Sequence, residues 1–239
     1  MPETALLTTE WAYWAALAAT LGVASVFKPW LVLKHRPLQN PWLAAMVILP
    51  WVWWLQQMLP SGVALRIGGI CLLVLMVGWP LAMCSLPLVA AGTALLQTWG
   101  PRFGQALPPK QQPGWDTWLQ HWFDLSPTMV WTGAIPATLA LGIGLAIRRW
   151  APKHLFVYIL GRGFFGTALA ISLTGVLGWL AGRVPPSMNT EEWLLGHWLL
   201  GWGEAISTGM LTSIFVAFKP HWLLTYSDAR YLPRDNRPL

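Results

Sequence analysis

Four ionisable side chains stand inside long apolar stretches, and their types are the ones in this chain that could do chemistry. They are Arg66, Arg162, His197 and Glu204. An ionisable group at membrane depth is costly, and such groups usually face protein or a water-filled cavity and mark functional positions. Together with the hydroxyl of Thr208 in the last stretch, these residues form the set of candidate buried polar and functional side chains.

The last apolar stretch gathers its polar groups on one face. His197, Gly201, Glu204 and Thr208 recur at i, i+4, i+7 and i+11, which makes a single stripe along an α-helix. We expect this stripe to face inward, and we expect nearby small residues to let neighbouring helices approach closely. Those small residues are Gly196, Gly203, Ser207 and Gly209.

The carboxylate of Glu204 needs either a cationic partner or protonation at such a depth. Arg162, about two turns into the sixth apolar stretch, is one candidate partner; the alternative is that its guanidinium extends to the inner interface. Arg66 stands close to the outer end of the third stretch and has the same alternative. Neither arginine has a spacing that identifies a substrate, so these residues indicate a buried polar stripe with a structural or transport role.

Several patterns typical of catalytic or cofactor sites are missing from the sequence. There is no GxxxxGK[ST] sequence, and the glycines of 161–166 lie in an apolar stretch without a preceding strand, so a nucleotide site is not expected. The five histidines lack metal-ligand spacing, and Cys71 and Cys84 lie in apolar runs as small core residues. We expect no catalytic residue, no cofactor and no metal ion, and the pair of His197 and Glu204 is the sole support for an enzyme.

The elements that must position these residues are membrane helices. Of the 239 residues, 55% are hydrophobic and 10% are charged, against about 25% charged in soluble domains. This composition excludes a soluble globule, and its apolar and aromatic content excludes a disordered chain. In hydrocarbon only helices and closed barrels satisfy the backbone, and continuous apolar runs are not the alternating pattern of a barrel.

The predicted fold class is therefore all-α, a polytopic bundle of about seven transmembrane helices that forms a single domain over residues 1–239. Each apolar stretch is long enough to cross a hydrocarbon layer of roughly 30 Å. A turn near Gly78 divides the third span from the fourth. The predicted spans are Glu10–Phe27, Trp42–Leu59, Val63–Trp79, Leu81–Trp99, Pro127–Ile147, Leu155–Gly182 and Trp193–Phe218.

Basic residues set the expected orientation. Ten of the fifteen Lys and Arg fall in segments that are cytoplasmic if the amino end is outside, in keeping with the positive-inside rule. The carboxyl end is then cytoplasmic, with residues 219–239 as a tail. The connection 100–126 lies on the outer side, and its Trp115, Trp118 and Trp122 share one helix face along the membrane surface. The basic residues form no continuous face, so nucleic acid is not an expected partner.

Tryptophan is unusually frequent, with 19 in the chain. Many stand near predicted span ends, where an indole favours the headgroup level. Trp51, Trp53 and Trp54 are denser than an interface belt needs. Packing against lipid and helices, or a surface for a partner or a pigment, would each account for this cluster.

Several separated stretches carry a family resemblance, which covers roughly residues 40–232. They are Leu59–Gly69 with Gly78–Ala82, His154–Ile159 with Gly163–Gly166, Gly203–Ala205 with Thr208–Met210, and the tail segments Lys219–Trp222 and Asp228–Leu232. Together they resemble the CbiM-like permease family of energy-coupling factor (ECF) ABC transporters. The resemblance is to the divergent proteobacterial branch of that family, which lacks the metal-binding histidines.

This resemblance implies a substrate-binding membrane subunit that works with a second membrane protein and cytoplasmic ATPases, among the lipids of a bacterial inner membrane. Cobalt- and nickel-specific members carry a histidine directly after the initiating Met and another in the stretch aligned with Ala64–Arg66. Here those positions hold Pro2 and Arg66, which cannot replace these ligands, so no metal site is implied. The alternative is a non-enzymatic structural or assembly subunit of a larger respiratory or photosynthetic membrane complex.

Overall fold

The described part of the chain is helical. The computed structural model describes residues 3–58, 67–100 and 114–231, and these ranges contain no β-strand, so the predicted all-α class is confirmed there. The α-helices are α1 (Glu3–Val26), α2 (Arg36–Met58), α3 (Ile70–Val77), α4 (Trp79–Trp99), α5 (Trp115–Asp124), α6 (Ser126–Thr128), α7 (Ile135–Trp150), α8 (Gly166–Leu180), α9 (Thr190–Phe218) and α10 (Asp228–Tyr231). The remaining helical segments are the π-helical Met129–Ala134 and Val157–Phe165 and the 3-10 turns Pro29–Lys34 and Pro220–Trp222.

Helices within the described ranges are long and apolar enough to span a membrane. These are Trp79–Trp99, Trp115–Trp150, Val157–Leu180 and Thr190–Phe218. They match the predicted fourth to seventh spans, so this chain is a membrane protein by the length and composition of its helices. The first two predicted spans also coincide with helices: α1 contains a shorter apolar stretch, Trp11–Val26, and α2 contains Pro41 and Pro50.

The predicted third span is not one continuous helix. Residues 67–69 are non-helical, and α3 has eight residues, which at about 1.5 Å per residue extend only about 12 Å. The helix is bounded by two glycines in backbone conformations that other residues rarely adopt, Gly69 with φ of 64° and Gly78 with φ of 82°. The prediction of a spanning helix is therefore wrong for the described residues 67–79, whereas the predicted turn at Gly78 is confirmed.

This short helix α3 lies in the centre of the protein. Seven of its eight residues are buried, and it packs against α2, α4, α7 and α9. The π-helical segment Met129–Ala134 lies against Gly68, two residues before α3 begins. Pro136 has no N–H to donate to the Thr132 carbonyl four residues earlier, so the α-helical pattern cannot continue there. The core of the bundle is thus built around a helix that stops part-way across it.

Helix α5 attaches to α4 through its indoles. Nε1 of Trp118 donates to the Ala91 carbonyl and Nε1 of Trp122 to the Pro87 carbonyl, each at 3.2 Å. The two indoles stack with an interplanar angle of 9°. The predicted tryptophan face is confirmed for this pair, and it packs on α4.

Small residues bring α8 and α9 together. A methyl group at Gly201 would lie 2.8 Å from the backbone oxygen of Ala168, and one at Gly209 would lie 3.2 Å from the side chain of Phe164. Close approach was therefore correctly predicted for Gly209. It was wrong for Gly203 and Ser207, which are exposed on the other face of α9.

Two glycines of α9 give a matched test of this packing. In Gly201→Ala the new methyl group meets a backbone oxygen that cannot move independently, so we expect the free energy of unfolding to fall by about 1–3 kcal/mol. Gly203→Ala makes the same chemical change where no atom lies within 4 Å, and it should be neutral or slightly stabilising. Thermal unfolding in detergent measures both variants, and equal melting temperatures would contradict the packing.

Candidate functional site

Glu204 meets the amino-terminal end of α3. Its carboxylate oxygen Oε1 accepts a hydrogen bond from the backbone N–H of Gly68, two residues before α3 begins. Glu204 is the fifteenth of the 29 residues of α9 and is 1% exposed. The N-terminal end of a helix carries partial positive charge and orphan N–H groups, both of which favour an anionic acceptor. The contact therefore lies at the midpoint of a membrane helix.

Gly68 is held on its other sides as well. Its carbonyl accepts a hydrogen bond from Nε1 of Trp53 at 3.1 Å. A Cβ atom at position 68 would lie 2.5 Å from the backbone oxygen of Thr132, so only glycine fits between the π-helical segment and Glu204. Trp53, one of the clustered tryptophans, thus has a packing role and is 2% exposed, whereas Trp51 is 45% exposed.

The carboxyl end of α3 is capped by the segment that follows α9. The backbone N–H of Leu224 donates to the Met76 carbonyl at 2.9 Å, and the hydroxyl of Thr225 donates to the Leu75 carbonyl at 2.9 Å. These carbonyls belong to the last turn of a helix, which has no further intrahelical donors to offer them. Both ends of α3 are therefore satisfied by α9 and its continuation.

Arg162 contacts the segment that caps the carboxyl end of α3, and it does not contact Glu204. Its Nη1 donates to the Thr225 carbonyl at 3.4 Å, and its guanidinium lies 5.5 Å from the centre of the Tyr158 ring. Among the described residues no ion pair joins Arg162 to Glu204, so the predicted pairing is wrong. Arg162 instead follows the alternative expectation and extends to the end of the bundle that holds the tail segment.

A cavity of about 320 Å³ lies beside Glu204. Its lining on α9 runs from Trp193 through His197 to Glu204, and Glu204 is the deepest of these along the helix. The other lining residues are Asp124, Pro127, Thr128, Trp131, Thr132, Pro136, Ile171, Thr174, Arg183, Pro185 and Leu200. A volume of this size is at the lower end of the range for small-molecule sites.

Glu204 has unused hydrogen-bonding capacity. Its second oxygen, Oε2, is buried and has no hydrogen-bond partner among the described residues. A buried carboxylate oxygen without a donor is costly, and in native proteins such a group calls for a specific explanation. Either protonation of the carboxyl group or a donor supplied from the cavity would satisfy it.

His197 presents a second acceptor to the cavity. Its Nδ1 lies 3.0 Å from the Trp193 carbonyl, and because a carbonyl can only accept, Nδ1 carries the proton. The neutral imidazole then keeps its lone pair on Nε2. The Trp193 indole is itself fixed by a hydrogen bond from Nε1 to the Gly175 carbonyl at 2.9 Å, and its ring centre lies 4.2 Å from that of His197.

The outer part of the cavity carries charge from the connections between helices. The guanidinium of Arg183 lies 4.9 Å from the centre of the Trp131 ring and donates to the hydroxyl of Tyr13. Asp124, at the end of α5, is exposed. Sequence reasoning treated Arg183 only as a topological residue, because its contacts with α1 and with Trp131 are distant in sequence and leave no local pattern.

The predicted site residues divide into three groups: the stripe on α9, Arg162 at the cap of the carboxyl end of α3, and Arg66. His197, Gly201, Glu204 and Thr208 do form a stripe that faces the protein, with Glu204 and Thr208 buried. Thr208 lies one turn beyond Glu204 and outside the cavity lining. Arg66, with Pro2, lies outside the described residues. Cys71 and Cys84 are free thiols, and the described ranges hold no group of three His, Cys, Asp or Glu side chains that could bind a metal ion.

Comparison of the chain with models of protein families, with curated proteins and with solved structures gives no match. The function is therefore argued from the geometry of Glu204, α3 and the cavity.

Substitution of Glu204 tests the hydrogen bond between its carboxylate and the N–H of Gly68. In Glu204→Leu the buried N–H of Gly68 loses its acceptor, so we expect the free energy of unfolding to fall by about 1–3 kcal/mol. Glu204→Gln keeps a carbonyl oxygen and should cost less. Thermal unfolding in detergent measures the difference. Ser207→Leu is the matched control, a polar residue replaced by Leu on the exposed face of the same helix, and equal losses in the two Leu variants would contradict the role of Glu204.

Proposed function

We propose that this chain is the substrate-binding membrane subunit of an ECF-type transporter, and that the cavity beside Glu204 is its solute site. One observation carries the proposal: helix α3 begins at the mid-depth of the bundle, against the Glu204 carboxylate in the wall of a cavity. Transporters commonly build their sites at the bilayer midplane from discontinuous helices, whose ends supply partial charges to bound solutes and ions. A purely structural bundle has no comparable need for a helix that stops inside it.

The position of the cavity supports access from one side. Asp124, Arg183 and Pro185 belong to the connections at the end of the bundle where α9 begins, and Glu204 lies about 20 Å further along α9. A solute would enter between these connections and stop at Glu204. On the opposite side, the tail segment that contacts Met76 and Leu75 closes the bundle.

We further propose seven crossings of a bacterial inner membrane, the third of them through the segment that is broken before α3, with the amino end outside. Arg183, in the connection before α9, contacts Tyr13 in the first half of α1, which supports an arrangement with these two segments towards the same end of the bundle. The turn at Gly78 lies at the other end, beside the tail. In this topology, reporter tags at the two chain ends should read opposite faces of the membrane. Both tags on one face would contradict it.

Energy for transport would come from partners. The sequence contains no Walker motif, so ATP hydrolysis requires separate cytoplasmic ATPases together with a second membrane protein. The resemblance of the stretches around Gly68, Gly78 and Glu204 to CbiM-like permeases points to the same arrangement. These stretches are the ones that meet at the two ends of α3.

Purification from the native cells tests the assembly. A tagged chain, extracted in mild detergent, should retain cytoplasmic ATPase subunits and a second membrane protein in near-stoichiometric amounts by quantitative mass spectrometry. The purified complex should hydrolyse ATP. Stoichiometric redox or pigment-binding subunits without ATPases would contradict the transporter and favour a structural or assembly role instead.

A further inference from the structure

We propose that the cavity binds a small organic cation that donates N–H hydrogen bonds, such as a primary ammonium, with its charged group at Glu204. This inference rests on the proposed function, in which the cavity is the solute site, and it adds the chemical class of the solute. The arguments are the hydrogen-bonding character of the cavity floor, its balance of charge, and an aromatic wall that already holds a cation.

The deep end of the cavity offers acceptors. The side chain of Glu204 is buried, and its oxygen Oε1 already accepts a hydrogen bond from the N–H of Gly68. The other oxygen, Oε2, has no donor among the described residues. Nε2 of His197 keeps its lone pair because Nδ1 donates to Trp193. A charged N–H donor at Glu204 satisfies Oε2, and His197 offers a second acceptor about 10 Å away along the same helix. A carboxylate or phosphate would instead add further acceptors.

The charged side chains of the lining favour a cation. Glu204 and Asp124 bring two carboxyl groups, against the single guanidinium of Arg183 and the imidazole of His197. The excess negative charge lies at the deep end, where Glu204 is 1% exposed and solvent screening is weak. The lining contains Glu204, His197 and Asp124, but Asp124 lies at the end of α5, and no three His, Cys, Asp or Glu side chains of the described residues form a group that could hold a bare metal ion.

The aromatic wall already binds one cation of the chain itself. The guanidinium of Arg183 lies over the Trp131 ring at 4.9 Å, within the range in which a ring attracts positive charge. Trp193 supplies a second indole next to His197. The volume of about 320 Å³ suits a metabolite-sized solute. The guanidinium of Arg183, near the cavity mouth, therefore competes with a bound cation for the Trp131 ring.

Three solutes of equal size and different charge test the class. Benzylammonium, benzamide and benzoate share one ring and differ in the polar group, and each is titrated into the purified full chain in detergent by isothermal calorimetry. We expect saturable binding of benzylammonium alone. Glu204→Gln should weaken it by tenfold or more, since it removes the charge from the hydrogen bond. Glu191→Gln is the matched control, the same change at an exposed position of α9 outside the cavity, and should leave the affinity unchanged.

A second variant tests the same proposal without depending on the correct folding of Glu204→Gln. Arg183→Gln removes the resident cation from the cavity mouth and should raise the affinity for benzylammonium by about threefold or more, an outcome that misfolding cannot produce.

The outcomes separate the solute class from the proposed function. Binding of benzoate or benzamide that depends on Glu204, without binding of benzylammonium, would overturn the cation class and leave the cavity as a solute site. Equal affinities for benzylammonium in wild type and Glu204→Gln would overturn the assignment of the cation to Glu204. Binding of none of the three would overturn both the class and the role of the cavity.

Discussion

The hydrogen bond between the Glu204 carboxylate and the Gly68 N–H is the constraint around which this bundle is organised. A helix that begins inside hydrocarbon exposes N–H groups that have no water to bind, and a carboxylate at the same depth lacks donors. Each group alone would be strongly unfavourable, and the hydrogen bond between Gly68 and Oε1 reduces the cost of burying both. The partial positive charge at the start of α3 adds to the attraction. The acid at the midpoint of α9 therefore stabilises the start of the short central helix.

The neighbouring elements follow from that contact. Gly68 must have no side chain, because the carbonyl of Thr132 lies against it, and Pro136 removes the helical donor that would otherwise continue the α-helix through Thr132. The far end of α3 is capped by Leu224 and Thr225, which follow α9 in the chain. Because α9 and its continuation hold both ends of α3, a movement of the tail segment has a direct route to the start of α3 and to the cavity. In the function proposed above, this connection joins the tail segment to the solute site.

Periodicity and hydropathy predicted much of this arrangement. The spacing of His197, Glu204 and Thr208 fixes them on one face of any α-helix, whatever its neighbours, so the inward stripe followed from sequence. The break before α3 did not follow from the sequence, because a short helix buried in the core is as apolar as a spanning helix. The Gly68-Gly69 pair was the only signal of this break. The sequence left two alternatives open for Arg162, since the helix positions that separate it from Glu204 depend on packing. The contact of Arg183 with Trp131 joins distant segments and has no local pattern.

An NMR measurement of the Gly68 amide tests the central contact directly. Labelling the isoleucine carbonyl with 13C and the glycine nitrogen with 15N selects glycines that follow isoleucine, and the chain has two, Gly68 and Gly144. The account predicts a strongly downfield Gly68 proton in the wild type that loses this shift in Glu204→Leu and retains part of it in Glu204→Gln. Gly144, which lies beside Arg162, should not change and serves as an internal reference. A Gly68 resonance at the same position in the wild type and in Glu204→Leu would contradict the account.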